Sequence, residues 1–168
     1  MKSNCYLILI TFFLLASCQS DKSKIVDEIK KYNENYHFKN NWEIEIVDLK
    51  INDYRELGII EMDSLILYSI RNKLFQVAVL SVSNSYEEFK ELEMAFQSNA
   101  IHQASDNNEY KLFAEKIIKN KNQKGYLVHA YLKYITTDPN TNKKYNRFYE
   151  NSTYLLNKDF VVLDILEN

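Results

Sequence analysis

The strongest strand pattern in this chain is GYLVHAYLKYIT, at residues 125–136. An apolar or aromatic residue occupies every second position, which is the spacing that places side chains on one face of a β-strand. The residues on that face are Tyr126, Val128, Ala130, Leu132 and Tyr134. The stretch therefore predicts a strand with one face buried against a core.

Two more strands are predicted after it. Residues 138–142, DPNTN, have the composition of a turn, and residues 145–157 return as a second strand. Lys158 and Asp159 form a tight turn into a third strand at residues 160–166, FVVLDIL. The C-terminal part of the chain is thus expected to be a three-stranded antiparallel meander.

A fourth strand is predicted at residues 42–52, WEIEIVDLKIN, and is expected to join this sheet. Its apolar side changes phase along the strand, from Trp42, Ile44 and Ile46 to Val47, Leu49 and Ile51. A bulge near Val47 and Asp48 would reconcile the two halves and curve the sheet. Residues 53–62 are expected to form a connector with a turn at Gly58.

The first helix is predicted at about residues 22–37. Apolar residues recur there at helical spacing, at Ile25, Ile29, Tyr32 and Tyr36. Asp27 and Lys31 are expected to pair on another face, and the Asn-rich residues 39–41 end the helix.

Residues 63–118 are also predicted to be mainly helical. Asp63 and Ser64 are expected to cap a long helix that reaches about residue 101 and includes Phe89, Leu92 and Phe96. Residues 75–82, FQVAVLSV, are interpreted as helix, with a strand as the alternative. An interruption is expected at residues 105–108, and Asp106 with Glu109 has the spacing of a capping box. An amphipathic helix follows, with Tyr110, Phe113, Ala114, Ile117 and Ile118 on its apolar face.

This order of elements predicts an α+β domain, with helices packed on one face of a curved antiparallel sheet of about four strands. It resembles the NTF2-like and cystatin-like folds. Four segments are also similar to small Bacteroidota lipoproteins of unknown function: MDSL (62–65), GYLVHAYLKY (125–134), DPNTNKK (138–144) and YLLNKDFVVL (154–163). These segments are caps, strands and turns, so the resemblance implies no catalytic residue.

The N-terminal segment has the layout of a secretory signal. Lys2 precedes an apolar run of ten residues at 6–15, YLILITFFLL, which rises only about 15 Å as a helix, half of a bilayer core of about 30 Å. Residues 15–18, LASC, resemble the lipobox of bacterial lipoproteins. The resemblance implies that the chain is cut before Cys18 and that Cys18 carries a diacylglycerol thioether and an acylated amine.

This interpretation sets the expected organisation and location. Residues 1–17 are expected to be the signal peptide, residues 18–23 a lipid-anchored tether and residues 24–168 a single domain. The expected location is the cell envelope, held to the membrane through Cys18. Gln19 fits sorting to the outer membrane, with the domain facing the periplasm or the surface.

Composition excludes several classes of function. Without residues 1–17 the chain has 20 basic and 23 acidic residues, which gives no case for a nucleic-acid partner. Only two glycines are present, so no phosphate-binding loop or dinucleotide motif can be formed. No cysteine follows Cys18, which removes disulfides and thiolate chemistry from the domain. No cofactor is expected, and no metal site, because the three histidines lie far apart in the sequence.

The candidate ligand pocket consists of four residues: His129, Tyr131, Arg147 and Tyr149. Asp48 and Glu150 are expected nearby on the sheet. A pocket lined by tyrosines with one arginine suits an anionic or sugar-like ligand. The alternative is that these residues only form cross-strand charge pairs and aromatic packing.

Three functions stay open at this point. The first is a non-catalytic lipoprotein that binds a partner protein or small ligand at the envelope. The second is an inhibitor or immunity-type protein directed against a hydrolase or toxin outside the cytoplasm. The third is an NTF2-like enzyme that uses His129 with an acidic neighbour.

Overall fold

A computed structural model of the protein describes residues 21–36, 42–82 and 99–167. In these ranges the chain forms an α+β fold of four helices and an open four-stranded antiparallel sheet, which confirms the predicted class. The elements in chain order are α1 (21–36), β1 (Glu43–Leu57), α2 (Ile59–Val82), α3 (Ala100–Asp106), α4 (Asn108–Ile118), β2 (Gly125–Thr137), β3 (Lys144–Asn157) and β4 (Val162–Glu167).

Several predictions lie outside the described residues. They concern the signal segment with Cys18, the helix break at residues 39–41, and the helical residues Phe89, Leu92 and Phe96. Among the helices that are described, none combines the length and the apolar character needed to cross a membrane.

The sheet has the strand order β1-β2-β3-β4. The predicted meander is therefore confirmed, as is the position of β1 beside it. β4 begins at Val162 rather than at residue 160, and its pairing with β3 is antiparallel, with Tyr154 opposite Ile165 and Leu156 opposite Val162. Two register shifts interrupt this pairing, and irregularities of that kind increase the local twist of a sheet.

The chain divides into two compact units. The first contains the described residues up to Arg55 and from Tyr126 onward, and the second contains residues 56–125. In the first unit α1 lies on one face of the sheet, where its Ile25 and Ile29 are fully buried. The sheet residues of the same cluster are Val128, Ala130, Tyr154, Leu156, Phe160 and Val162.

The apolar stripe predicted on α1 is correct for its first three members and wrong for Tyr36, whose side chain is 58 % exposed. The ion pair predicted between Asp27 and Lys31 is also wrong. The Lys31 ammonium contacts Glu28 at 3.2 Å, which is the neighbouring carboxylate one turn back. Since residue 21 is already helical, residues 21–23 of the expected tether belong to α1.

The change of phase predicted in β1 occurs between Asp48 and Leu49, where two successive residues are half-buried. Val47 is 49 % exposed, so its assignment to the buried side was wrong. The connector predicted at residues 53–62 is wrong as well, because β1 continues to Leu57. Tyr54 packs against Tyr126 with ring centroids 6.5 Å apart, and this contact extends the strand through a segment of weak strand propensity.

In the second unit, α2 begins directly after Gly58, whose carbonyl accepts a hydrogen bond from Met62 N at 2.9 Å. The cap predicted at Asp63 and Ser64 is therefore wrong. Asp63 instead accepts a bond from Asn122 N at 2.8 Å, and the Ser64 hydroxyl donates to Ile60 O at 2.9 Å. The helical interpretation of residues 75–82 is confirmed, since α2 continues unbroken to Val82.

The predicted interruption at residues 105–108 is confirmed at Asn107, between α3 and α4. The capping box is wrong, because the Asn107 side chain caps α4 by accepting a bond from Tyr110 N at 3.1 Å. The apolar face predicted for α4 is correct except for Ile118, which is 48 % exposed.

The turn predicted between β2 and β3 is confirmed. Asp138 organises it by accepting hydrogen bonds from Asn140 N and from the Thr141 hydroxyl, each at 2.8 Å. The bond from Asn140, assisted by Thr141, lowers the pKa of the Asp138 carboxyl. Asn142, at φ 54°, then completes the turn in the left-handed region, which asparagine tolerates well.

Candidate functional site

His129 projects from the centre of β2 and is half-buried. Its Nδ1 lies 3.1 Å from the hydroxyl oxygen of Thr153 on β3, and Thr153 itself is buried. No carboxylate within the described residues contacts the ring. A general base needs a group that orients it and stabilises its charge, so this environment fits a cross-strand hydrogen bond better than acid–base catalysis.

Tyr131 lies two residues further along the same face of β2, by the alternation of the strand. The Lys50 ammonium is 5.6 Å from the centroid of its ring, within the range of a cation–π contact. Lys50 also contacts Asp48 at 2.7 Å, and this hydrogen bond raises the pKa of the Lys50 amine. The charge of Asp48 is thus paired with Lys50.

Tyr149 lies on the opposite face of the sheet from His129 and Tyr131. Its ring stacks on that of Tyr134, with centroids 5.9 Å apart, and Tyr134 belongs to the face that also carries Val128. The Tyr134 hydroxyl points at the Tyr149 hydroxyl at the limit of hydrogen-bonding distance, 3.5 Å.

Arg147 shares the face of Tyr149, two residues away on β3. The positive charge of Arg147 is close enough to the Tyr134 hydroxyl to oppose the rise in the Tyr134 pKa. The four predicted pocket residues therefore form two pairs on opposite faces, His129 with Tyr131 and Arg147 with Tyr149. The remaining predicted neighbour, Glu150, has an exposed side chain, and its backbone carbonyl accepts a bond from Asn52 at 3.1 Å.

The pair of Arg147 and Tyr149 belongs to a longer series of rings. The Arg147 guanidinium lies 5.9 Å from the ring centroid of Tyr145, and the Tyr145 ring lies 6.0 Å from that of Trp42, just before β1. We call this series the aromatic row: Trp42, Tyr145, Arg147, Tyr149 and Tyr134. Tyr145 and Arg147 are exposed, Trp42 and Tyr149 are half-buried, and Tyr134 is buried.

The hydroxyl chemistry of the aromatic row follows from the burial of Tyr134. Burial raises the pKa of Tyr134, and the hydrogen bond to Tyr149 raises it further, while the positive charge of Arg147 opposes the rise. Tyr134 therefore stays a neutral phenol near neutral pH, and it can donate a hydrogen bond but cannot act as a base. The row offers stacking surfaces, one hydroxyl pair and one guanidinium.

Sequence reasoning missed Trp42 and Tyr145 as members of this site. A signal was present, because Tyr145, Arg147 and Tyr149 alternate along one strand. The sequence did not predict which face of β2 these three residues join. Tyr149 and Tyr154 are five residues apart, yet both lie on the face that carries Val128. The alternation of β3 therefore changes phase between them.

Within the described parts of the chain, no group of three or more His, Cys, Asp or Glu side chains could hold a metal ion. No protein-family model, no curated protein and no solved structure matches this chain.

Proposed function

We propose that this protein is a lipoprotein, tethered to the cell envelope through Cys18, whose α+β domain binds a partner protein or ligand without catalysing a reaction. The lipobox resemblance of residues 15–18 supports the tether. The aromatic row supports binding, and it is the single observation on which this part of the proposal depends.

The aromatic row has the chemistry of a recognition surface. Aromatic residues and arginine are enriched at interfaces, and the rigid aromatic rings bury large areas at low conformational cost. Arg147 contacts the face of Tyr145, and within the described residues it has no carboxylate partner. A planar guanidinium held in this way binds carboxylate or phosphate with two parallel hydrogen bonds. The row therefore suits a ligand or partner segment that presents an anionic group beside a flat apolar or sugar ring.

Site-specific photo-crosslinking in cells tests this proposal. A benzophenone amino acid is introduced at Tyr145 in the full-length chain, and irradiation is expected to give a discrete adduct. Phe148 is the matched control, because it lies on the same strand, is 65 % exposed and points to the opposite face. The same probe at Phe148 is expected to give no adduct of that mass.

Arg147→Gln then separates specific binding from chance contact. The substitution keeps a polar side chain that can donate hydrogen bonds, but it shortens the side chain and removes its charge. It is expected to reduce the Tyr145 adduct about tenfold or more, since a charge-assisted hydrogen bond contributes about 1.5–3 kcal/mol. Equal adducts at Tyr145 and Phe148, or an adduct that survives Arg147→Gln unchanged, would contradict binding at the aromatic row.

A further inference from the structure

The second unit contains a pocket of about 430 Å³. It lies along α2 and reaches the first turn of α3. Its lining residues are Tyr68, Arg71, Asn72, Leu74, Phe75 and Ile101. Ligand pockets for small molecules are commonly of this size and have mostly apolar walls with a few polar groups.

The floor of the pocket is part of the packed contact between α2 and α3. Ala78 of α2 meets Ala100 and Ala104 of α3, and these small side chains let the two helices approach closely. Leu74 and Ile101 pack against this contact and also line the pocket. The apolar floor is therefore held in place by the core of the unit, and the larger side chains Tyr68 and Phe75 form walls beside it.

Among the lining residues that the structure describes, Arg71 is the one charged side chain, and it is exposed. No carboxylate in the described ranges pairs with it. Lys73, two residues away on the same helix, contacts Glu109 at 3.2 Å, so the neighbouring cation already has its counter-ion. Arg71 thus places a guanidinium, which can donate two parallel hydrogen bonds, at an apolar pocket, with the Asn72 amide next to it.

We propose that this pocket binds a single-chain amphipathic carboxylate, with the carboxylate on Arg71 and the alkyl chain against Leu74, Phe75 and Ile101. An anionic head is favoured because Arg71 places a positive charge at the pocket and has no carboxylate partner among the described residues. The volume of about 430 Å³ lies within the range of small-molecule sites. Dodecanoate, a single saturated chain with one carboxylate, is a suitable probe. This site is separate from the aromatic row, which belongs to the other unit.

The test uses a photoreactive dodecanoate that carries a diazirine in its chain. Envelopes that contain the full-length protein are incubated with the probe, irradiated and digested with trypsin. Saturable labelling is expected in peptides 74–90 and 91–111, which carry the apolar lining residues Leu74, Phe75 and Ile101. Peptide mapping also separates this labelling from any acylation at Cys18.

Two comparisons test whether the pocket recognises the carboxylate head and the alkyl chain of the ligand. Arg71→Gln is expected to raise the half-saturating probe concentration about tenfold or more, because a charge-assisted bond is lost. Lys116→Gln, which removes an exposed charge from α4, is expected to leave it unchanged. Unlabelled octanoate should compete about 250-fold less well than dodecanoate, at about fourfold per methylene.

Three results would overturn the proposal. The first is labelling that does not saturate or that lies outside the two peptides. The second is equal half-saturation in the wild type and in Arg71→Gln while circular dichroism shows both folded. The third is equal competition by dodecanol and dodecanoate, which would show that the carboxylate is not recognised.

Discussion

At the scale of single residues, Tyr154 connects α1 to the sheet. Its side chain is fully buried, and its hydroxyl accepts a hydrogen bond from Asn33 Nδ2 at 3.2 Å. Asn33 also donates to Ile29 O at 2.8 Å, within its own helix. Because a buried polar group without a partner costs about 1–3 kcal/mol, this pair fixes how α1 lies on β3.

The same burial makes stability sensitive to alkaline pH. Burial raises the pKa of Tyr154 above its ordinary value of 10.0, and burial together with Asp164 does the same for Tyr32. Above about pH 10 the unfolded chain releases these protons while the folded chain keeps them. The stability that they contribute is therefore complete below pH 10 and is lost as the pH rises further.

Tyr154→Phe is expected to make this loss less steep, by up to about 1.4 kcal/mol for each pH unit above 10. Urea denaturation at about pH 9 and about pH 11 measures the difference. Tyr145→Phe, at a ring that is 38 % exposed, is the control and should keep the wild-type slope. An unchanged slope in Tyr154→Phe would show that its hydroxyl ionises alike in both states.

His129 carries the enzyme hypothesis, and its contacts favour a structural role. His129→Ala is expected to destabilise the fold by about 1–3 kcal/mol, because the buried Thr153 hydroxyl loses its partner. The crosslink from Tyr145 should persist, since that residue lies on the other face of the sheet. Urea denaturation and the crosslinking yield measure the two effects. If the His129→Ala protein is folded but no longer gives the Tyr145 adduct, His129 takes part in binding, which contradicts a purely structural role.

At the scale of elements, the sequence predicted the long periodic segments well. The period of β2 and the apolar stripes of α1 and α4 are properties of the local chain, and the structure follows them. Element ends were predicted less well because they depend on distant contacts. β1 continues past residue 52 through the contact of Tyr54 with Tyr126, and Asp63 lies inside α2, where it accepts a bond from Asn122.

The candidate site was predictable only in part, for a related reason. Arg147 and Tyr149 were selected correctly as neighbours, because two residues on one strand share a face. To predict whether they lie on the same face as His129, one must know how β3 pairs with β2 and which β3 residues point to each face. The alternation of β3 changes phase between Tyr149 and Tyr154, which no local pattern encodes.

The turn between β3 and β4 offers a test at this scale. Asn157 Oδ1 accepts hydrogen bonds from Asp159 N at 3.0 Å and from Val161 N at 2.9 Å. These bonds hold Phe160 at φ 65°, an unusual conformation for a residue with a β-carbon, while its ring stacks on Tyr126 at 4.6 Å. Asn157 therefore stabilises both the turn and the burial of Phe160.

Asn157→Ala is expected to destabilise the first unit by about 1–3 kcal/mol, since it loses the two hydrogen bonds that hold Phe160 in its strained, buried position. Asn157→Asp keeps an acceptor oxygen at the same place and is the matched control, with an expected change within about 0.5 kcal/mol. Urea denaturation of both variants is the measurement. Equal stability of the two variants would mean that the turn does not depend on this side chain.

At the scale of the whole molecule, the proposed anchor and the domain lie close together in the sequence. Only Gln19 and Ser20 separate Cys18 from the start of α1, and two residues span at most about 7 Å. Two or three acyl chains on Cys18 would hold the protein at the membrane durably, since each buried methylene adds about 0.8 kcal/mol. The proposed binding partner or ligand must then be reachable from the membrane surface.

If the mature chain begins at a lipidated Cys18, as proposed, mass spectrometry of the N-terminal tryptic peptide detects the lipid. The expected peptide comprises residues 18–22, carries a diacylglycerol thioether and an acylated amine, and is absent from Cys18→Ala. A peptide that spans residues 17 and 18, or a free thiol at Cys18, would contradict this proposal.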